Sequence, residues 1–317
     1  MSEIRPRYFS PLFDSSRWDR FDFRHGDIVI CTPAKCGTTW TQMICALLIF
    51  QTPKLEKPLS EYSPWLDMHL RTEQEVYDLL GAQNHRRFIK THTPMDGLPM
   101  NDKATFICVG RDPRDAIISL MHHVDNMNHE AFNSAVERVI GNALWPQGHP
   151  DKVDPEEAAS MPETMEEKFW KWVDDDQPVT ERLSTLRGTI HHYQQTFLKA
   201  GLENVFIMHY SAMKTDLEGE MRRLATALQI EVPAGLWPEL LEAARFESMR
   251  DNASRLAPDA VKGVWKDANA FFHSGSSGYW KEFFTPEALD RYKTRAQQLA
   301  EPDILRWAHQ GSIPQIW

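Results

Sequence analysis

The sequence of 317 residues lacks a segment typical of a membrane helix, a secretory signal and a zinc-binding cysteine motif. Its longest apolar run, Met43 to Phe50, is far shorter than the roughly 20 residues that a membrane helix needs. The N-terminal segment has no apolar stretch typical of a secretory signal. The four cysteines form no CxxC pair and show no zinc spacing. We therefore expect a cytoplasmic protein with reduced thiols.

Positive charge is also scarce, because acidic residues exceed basic ones by ten. Segment 151–176 accounts for seven of these charges, since it holds ten acidic residues and three lysines. This balance argues against nucleic acid or an anionic membrane as a partner, but leaves room for a local anion pocket. The acidic segment belongs to a long, proline-containing stretch at about 141–178, where we expect a mobile lid or insertion.

Two common phosphate and metal motifs are absent. A Walker A loop reads GxxxxGK[ST], whereas here Lys35 precedes Gly37 instead of following it. The pairs His122-His123 and His191-His192 are adjacent in sequence, so on a helix they do not face a common ligand. The sequence therefore predicts neither a generic nucleotide-triphosphate loop nor a metal site.

Residues 27–50 contain a strand, a tight loop and a helix in direct succession. Residues 27–31 form a short, largely apolar run that is rich in β-branched residues, which is typical of a buried strand. Pro33 and Gly37 interrupt this strand, and apolar residues recur at helical spacing from residue 38. The helix start offers unpaired N–H groups to a phosphate, and Lys35 adds a full charge. The alternative is an ordinary turn with a solvated lysine.

Further strand-like and helix-like segments alternate along the chain. The strand-like segments lie at residues 87–91, 105–110 and 205–210. Helical patterns lie at residues 73–80, from 113 past 121, and at 180–200, 217–228, 236–244 and 286–300. This alternation predicts an α/β fold with a central, mostly parallel sheet and helices on both faces. The length allows one large domain or two smaller ones.

The loop Lys35-Cys36-Gly37-Thr38-Thr39-Trp40, here named the donor loop, resembles the Lys-Ser-Gly-Thr-Thr-Trp loop of the cytosolic sulfotransferase family. Four more segments resemble that family in the same order along the chain. They are Lys90-Thr91-His92, Arg111 with Ser119 eight residues later, Tyr210 at a strand end, and Gly275-x-x-Gly278-x-Trp280-Lys281. Each match is weak alone, and a strand-end Arg is more often a salt-bridge residue. Together they mark the chain as similar to a bacterial-type member.

The resemblance implies a single domain over residues 1–317 with a P-loop-like three-layer fold, and an enzyme that uses 3′-phosphoadenosine 5′-phosphosulfate (PAPS). The sulfuryl group would pass in line to a hydroxyl or amine of a small acceptor, leaving 3′,5′-adenosine bisphosphate (PAP). His92 would be the general base, Lys35 would stabilise the leaving 5′-phosphate, and Lys90 would hold the sulfuryl oxygens. These lysines supply the needed charge, so we expect a metal-independent reaction.

The resemblance also implies a set of donor contacts. The residues expected to bind PAPS are Lys35, Cys36, Gly37, Thr38, Thr39, Trp40, Arg111, Ser119, Tyr210, Phe246, Met249, His273, Ser274 and Gly275. Arg111 and Ser119 would hold the 3′-phosphate, and Trp40 would stack on adenine. His273 and Ser274 stand where the family has Arg-Lys, so the usual cationic clamp is either replaced or weakened.

Two other functions stay open from the sequence. A P-loop kinase would need ATP, Mg²⁺ and a GK[ST] loop, and a non-catalytic adenosine-bisphosphate-binding module would fit the change at residues 273–274. Segment 281–286 partly resembles a family dimerisation motif, but Pro286 replaces its usual valine, so a monomer and a homodimer are both compatible. Aromatic residues at positions 145, 169, 170 and 172 favour an apolar acceptor, or else belong to the core.

Overall fold

A computed structural model describes residues 4–141, 164–272, 275, 277–282 and 284–311. The strands are β1 (Phe9–Ser10), β2 (Phe13–Asp14), β3 (Asp27–Cys31), β4 (Phe88–Thr91), β5 (Ala104–Gly110) and β6 (Val205–His209). β1 and β2 form a short antiparallel ribbon, and the other four form a parallel sheet in the order β4-β3-β5-β6. The predicted parallel sheet is confirmed.

Helices fill the segments between these strands. The described α-helices are α1 (Thr38–Phe50), α2 (Leu59–Tyr62), α3 (Glu73–Gly81), α4 (Pro113–Asp125), α5 (His129–Ile140), α6 (Met165–Asp174), α7 (Leu186–Lys199), α8 (Tyr210–Thr215), α9 (Leu217–Ala227), α10 (Trp237–Ala243), α11 (Phe246–Asp251), α12 (Ala253–Leu256), α13 (Pro286–Leu299) and α14 (Pro302–Gln310). Across these ranges, none is long and apolar enough to cross a membrane.

Alternating residues of the central strands face two different cores. Ile28 and Ile30 of β3 pack with α1 and α9 to α12 on one face of the sheet. Val29 of β3 and Phe106 of β5 pack with α3 and the N-terminal segment on the other face. A further cluster around Trp307 joins α4, α6, α7, α13 and α14. The layered α/β architecture expected from the sequence, with helices on both faces of the sheet, is therefore confirmed.

Helix boundaries follow capping residues more closely than periodicity. α4 begins as predicted, with Asp112 accepting a hydrogen bond from the Arg114 N–H. The helix predicted over residues 180–200 begins only at α7, after its cap Thr185. Residues 165–174, which the sequence analysis included in the expected lid, form helix α6 behind a capping box of Thr164 and Glu167. Residues 142–163 of that expected lid lie outside the described residues.

The four parallel strands end at a common edge of the sheet. Cys31 of β3 pairs with Thr91 of β4, and Gly110 of β5 pairs with His209 of β6. The donor loop, His92, Arg111 and Tyr210 each follow one of these strand ends. Ligands of parallel α/β sheets bind outside the carboxyl ends of the strands. The topology therefore places all four sequence motifs where a ligand would bind.

Candidate functional site

A cavity of about 1040 Å³ opens at the carboxyl edge of the sheet. Most of the predicted site residues line it, namely Lys35, Gly37, Thr38, Thr39, Trp40, Lys90, His92, Arg111, Ser119, Tyr210, Phe246, Met249 and Gly275. Cys36 does not line it, because its thiol is buried 3.3 Å from the hydroxyl oxygen of Tyr193. His273 and Ser274 lie outside the described residues.

The donor loop turns sharply into α1. Lys35 and Gly37 both have left-handed backbone angles, with φ of 63° and 97°, and this conformation is unfavourable for a lysine. The Lys35 carbonyl accepts a hydrogen bond of 2.9 Å from Nη1 of Arg111, which ties the loop to the end of β5. The first backbone bond of α1 runs from the Thr41 N–H to the Gly37 carbonyl. The N–H groups before Thr41 thus form a helix start suited to an anion.

The Lys35 ammonium group lies between an imidazole and an aromatic ring. Its Nζ is 3.0 Å from Nδ1 of His123 and 4.6 Å from the centroid of the Phe271 ring. Burial, together with the positive charges of Arg111 and Lys90, lowers the pKa of Lys35 to about 7. The group therefore changes charge near neutral pH in the absence of an anion.

Lys90 is buried at the end of β4, against the face of an indole ring. Its Nζ lies 3.9 Å from the centroid of the Trp65 ring, a cation–π contact. Burial lowers its pKa to about 8, although the carboxylates of Asp259 and Asp67 act in the opposite direction. The cavity is thus lined by two lysines, Lys35 and Lys90, whose pKa values are both lowered.

His92 has a defined tautomer. Its Nδ1 lies 2.6 Å from the Thr32 carbonyl oxygen, which can only accept, so Nδ1 carries the proton. The edge of the Trp65 ring packs against the imidazole at a centroid distance of 4.4 Å. Burial and the neighbouring Lys90 hold the pKa of His92 well below its usual range. The imidazole is therefore neutral at physiological pH and presents an unprotonated Nε2 on a ring that lines the cavity.

Aromatic residues pack around Arg111 in the wall of the cavity. Its guanidinium carbon lies 4.4 Å from the centroid of the Tyr210 ring. Tyr193 fixes the Arg111 backbone on both sides, because its hydroxyl accepts from the N–H at 3.0 Å and donates to the carbonyl at 2.7 Å. Trp40 donates from Nε1 to the Ala244 carbonyl at 2.8 Å, and its ring meets Tyr210 edge-on. These contacts form a rigid arginine-containing wall.

Gly275 and Tyr279, from the described part of the segment before α13, also line the cavity. Gly275 has φ of 59°, and a Cβ atom there would lie 2.7 Å from the Phe246 ring, so only glycine fits. The Gly278 N–H donates to both carboxylate oxygens of Asp115, at 2.9 and 3.0 Å. Gly275 therefore packs closely against α11, and Gly278 is hydrogen-bonded to α4.

A family model described as "Sulfotransferase domain" matches residues 25–302. The chain is also 40% identical over 314 residues to a glycolipid sulfotransferase of Mycobacterium bovis, covering 96% of this chain and 94% of that protein. The chain belongs to the sulfotransferase family. A glycolipid sulfotransferase of Mycobacterium tuberculosis is 39% identical over 312 residues, with coverage of 96% and 94%.

The sulfotransferase fold is supported by solved structures as well. A mouse sulfotransferase in complex with PAP has a TM-score of 0.65 at 19% identity, covering 92% of this chain and 90% of that chain. Family membership confirms the prediction of a PAPS-dependent sulfotransferase with PAP as product. Within the ranges that the structure describes, no group of three or more His, Cys, Asp or Glu residues is placed to hold a metal ion.

The rest of the sulfotransferase cavity has an apolar wall. Its residues come from the segment between α2 and α3, from α5 and from the segment before Trp265, and include Met68, Leu70, Phe132 and Val264. Among the aromatic residues considered for the acceptor, Trp172 lines the cavity, whereas Phe169 packs in the core beside Tyr292. Trp145 lies outside the described residues. The wall suits an apolar part of an acceptor.

Two residues at the centre of this sulfotransferase site were not expected from the sequence. Trp65 contacts both Lys90 and His92, but nothing in its proline-rich surroundings indicates that. His123 contacts Lys35, and here a signal existed. It follows Ser119 by four residues, so both lie on one face of α4.

Proposed function

We propose that this sulfotransferase transfers a sulfuryl group from PAPS to a hydroxyl group of a glycolipid or similar acceptor, with His92 as the general base. The observation that carries the proposal is the 2.6 Å hydrogen bond from Nδ1 of His92 to the Thr32 carbonyl. It fixes the tautomer whose Nε2 can take a proton. A low pKa keeps that nitrogen unprotonated before the reaction.

The reaction proceeds by in-line displacement at sulfur. As the acceptor oxygen bonds to sulfur, Nε2 of His92 takes the hydroxyl proton, and the bond between sulfur and the 5′-phosphate oxygen breaks. Lys35 donates to the leaving phosphate oxygen, where negative charge increases, and Lys90 donates to the sulfuryl oxygens. The donor fits this chain because these two lysines, Arg111 and the start of α1 all face one cavity.

The other donor contacts follow from the wall around Arg111. Its guanidinium group and the Ser119 hydroxyl bind the 3′-phosphate, and the Gly275 backbone N–H adds a donor beside them. The adenosine lies against Trp40 and Tyr210, with Phe246 and Met249 flanking it from α11. The hydrogen bond of the Arg111 guanidinium group to the Lys35 carbonyl and its contact with the Tyr210 ring support this role, because a fixed cation loses little freedom on binding.

A glycolipid is the acceptor class that two observations favour. The mycobacterial relatives are named glycolipid sulfotransferases. The apolar wall of the cavity, including Met68, Leu70 and Phe132, can bury hydrocarbon. An amine or a small aromatic alcohol would make less use of this surface.

We also propose that residues 1–317 form one domain and that the enzyme works in the cytoplasm. The family model spans most of the chain, from residue 25 to 302. All four cysteines are free and buried, which fits a reducing compartment.

Transfer of radiolabelled sulfate from PAPS to a panel of glycolipids, long-chain alcohols, phenols and amines tests the proposal. We expect glycolipids to be the best acceptors and His92→Ala to lower kcat by roughly 10²- to 10⁴-fold, the usual contribution of a general base. PAP affinity should change less than about twofold, since His92 acts on the acceptor. His25→Ala, at an exposed histidine, is the matched control. Full activity of His92→Ala would show that the assigned base is wrong.

A further inference from the structure

His123 occupies a place in the cavity that the mechanism above does not use. It lies on α4, one turn after Ser119, and its Nδ1 is 3.0 Å from Nζ of Lys35. The rings of Trp265 and Phe271 pack edge-on against the imidazole, at centroid distances of 4.6 and 5.6 Å. The ring is therefore held by two aromatic neighbours while one nitrogen meets the lysine.

The direction of this hydrogen bond follows from its two partners. An ammonium group has three N–H donors and no acceptor, so Nδ1 of His123 must accept from Lys35. The imidazole can do so because burial and the charges of Lys35 and Lys90 hold the pKa of His123 well below its usual range. The charged groups that face Lys35 are the cations Arg111 and Lys90, whereas the nearby Cys36 thiol is neutral because burial raises its pKa to about 11. His123 is therefore a neutral acceptor beside a lysine that two cations tend to deprotonate.

One N–H of Lys35 is committed to His123, and the Phe271 ring faces the ammonium group from another side. The remaining donors are left for a ligand in the cavity, which Lys35 lines. We propose that His123 is a positioning residue, whose Nδ1 holds the Lys35 ammonium group with its other N–H groups toward the leaving 5′-phosphate. This inference rests on the proposed function. No proton leaves or enters His123, because the electron pair of the broken sulfur–oxygen bond passes to the phosphate oxygen that Lys35 contacts.

Two substitutions separate the acceptor nitrogen from the shape of the ring. His123→Phe keeps an aromatic ring against Trp265 and Phe271 but removes the acceptor, and His123→Gln returns an acceptor oxygen. For His123→Phe we expect kcat/KM for PAPS at pH 7.5 to fall on the order of tenfold, as for loss of one hydrogen bond to a charged group. The alkaline limb of the pH profile of kcat/KM for His123→Phe should move to lower pH by about one unit. The glutamine variant should recover most of the loss, and KM for the acceptor should hardly change.

Calorimetry of PAP binding supplies a readout that does not depend on turnover. Titrations at pH 6.5 in two buffers with different ionisation enthalpies give the number of protons taken up. Because a bound anion restores the charge of Lys35, His123→Phe should take up more protons than the wild-type protein. A His25→Phe variant, at an exposed position, should match the wild-type uptake.

The outcomes are distinct. A folded His123→Phe protein with an unshifted alkaline limb and wild-type proton uptake overturns the assignment, even if wild-type transfer to glycolipids is normal. A wild-type protein that transfers sulfate to no acceptor, but whose proton uptake on PAP binding depends on residue 123, supports the assignment and refutes the proposed function. If His123→Phe does not fold, His123→Leu gives the same comparison.

Discussion

The kcat/KM for PAPS should fall steeply between about pH 6.5 and pH 8.5, because two cavity lysines lose their charge in this range. The pKa of Lys35 is about 7 and that of Lys90 about 8, since both are buried. A lysine is charged below its pKa. The fraction of free enzyme with both groups charged therefore falls from roughly three quarters to less than about one hundredth. This predicts a loss of kcat/KM for PAPS on the order of a hundredfold.

Initial rates of radiolabelled sulfate transfer at PAPS concentrations well below KM measure this quantity, because kcat/KM reports the ionisation of the free enzyme. Ionisation of the donor phosphates contributes little to this fall, because the second pKa of a phosphate monoester is about 6, below the range measured. With saturating PAPS, the bound anion raises the pKa of both lysines. We therefore expect kcat to stay nearly constant over the same range, so that the change appears in KM.

A Lys35→Arg variant is the matched control, because a guanidinium group keeps its charge at these pH values. Only the Lys90 transition then remains, and the fall over the range should shrink to about fourfold. The shape of the profile decides the test, so a lower absolute rate of the variant does not matter. A flat wild-type profile, or an equally steep fall in Lys35→Arg, would refute the reasoning.

Two further predictions concern stability and the donor wall. Asp27→Asn leaves the guanidinium group of Arg87 buried without its carboxylate partner. We therefore expect the free energy of unfolding in urea to drop by about 3–5 kcal/mol, while the folded enzyme keeps its PAP affinity. An unchanged midpoint of urea unfolding would contradict this. Gly275→Ala should weaken PAP binding on the order of tenfold in calorimetry, because its Cβ would meet the Phe246 ring at 2.7 Å. Gly263→Ala, with a similar φ but no atom within 4 Å of the new Cβ, is the control and should bind PAP normally.

Much of the fold could be predicted because each central strand is a short apolar run with a clear end. The runs at β3 and β5 are buried on both faces, so their composition alone marks them as strands. α6 was missed for a different reason. Its segment is acidic, and this composition favoured a loop in the prediction. The capping box at Thr164 and the apolar Phe169 and Trp172, which are buried in the structure, indicate a helix instead. Solvent-facing acids on a helix are compatible with one apolar stripe, so net charge says little about order.

The site could be predicted where a residue directly follows a strand. His92 and Arg111 directly follow β4 and β5, and Lys35 follows β3 by four residues; a parallel sheet brings such ends together. Trp65 reaches the site in another way. Its segment pairs with β4 through the Lys90 N–H, which donates to the Pro64 carbonyl. Such pairing depends on a partner distant in sequence, and the loop composition carries no sign of it.

The cations of the cavity and its imidazole base are coupled electrostatically. The charges of Lys35 and Lys90 lower the pKa of His92, in addition to burial. When an anionic donor binds, it compensates those charges, and the imidazole becomes a stronger base. His92 therefore gains proton affinity only when the donor that the acceptor hydroxyl must attack is present. Lys35, which holds the leaving phosphate, and Lys90, which holds the sulfuryl oxygens, thus also set the strength of the base. Their effects on KM and on kcat are therefore coupled through the electrostatic field in the cavity.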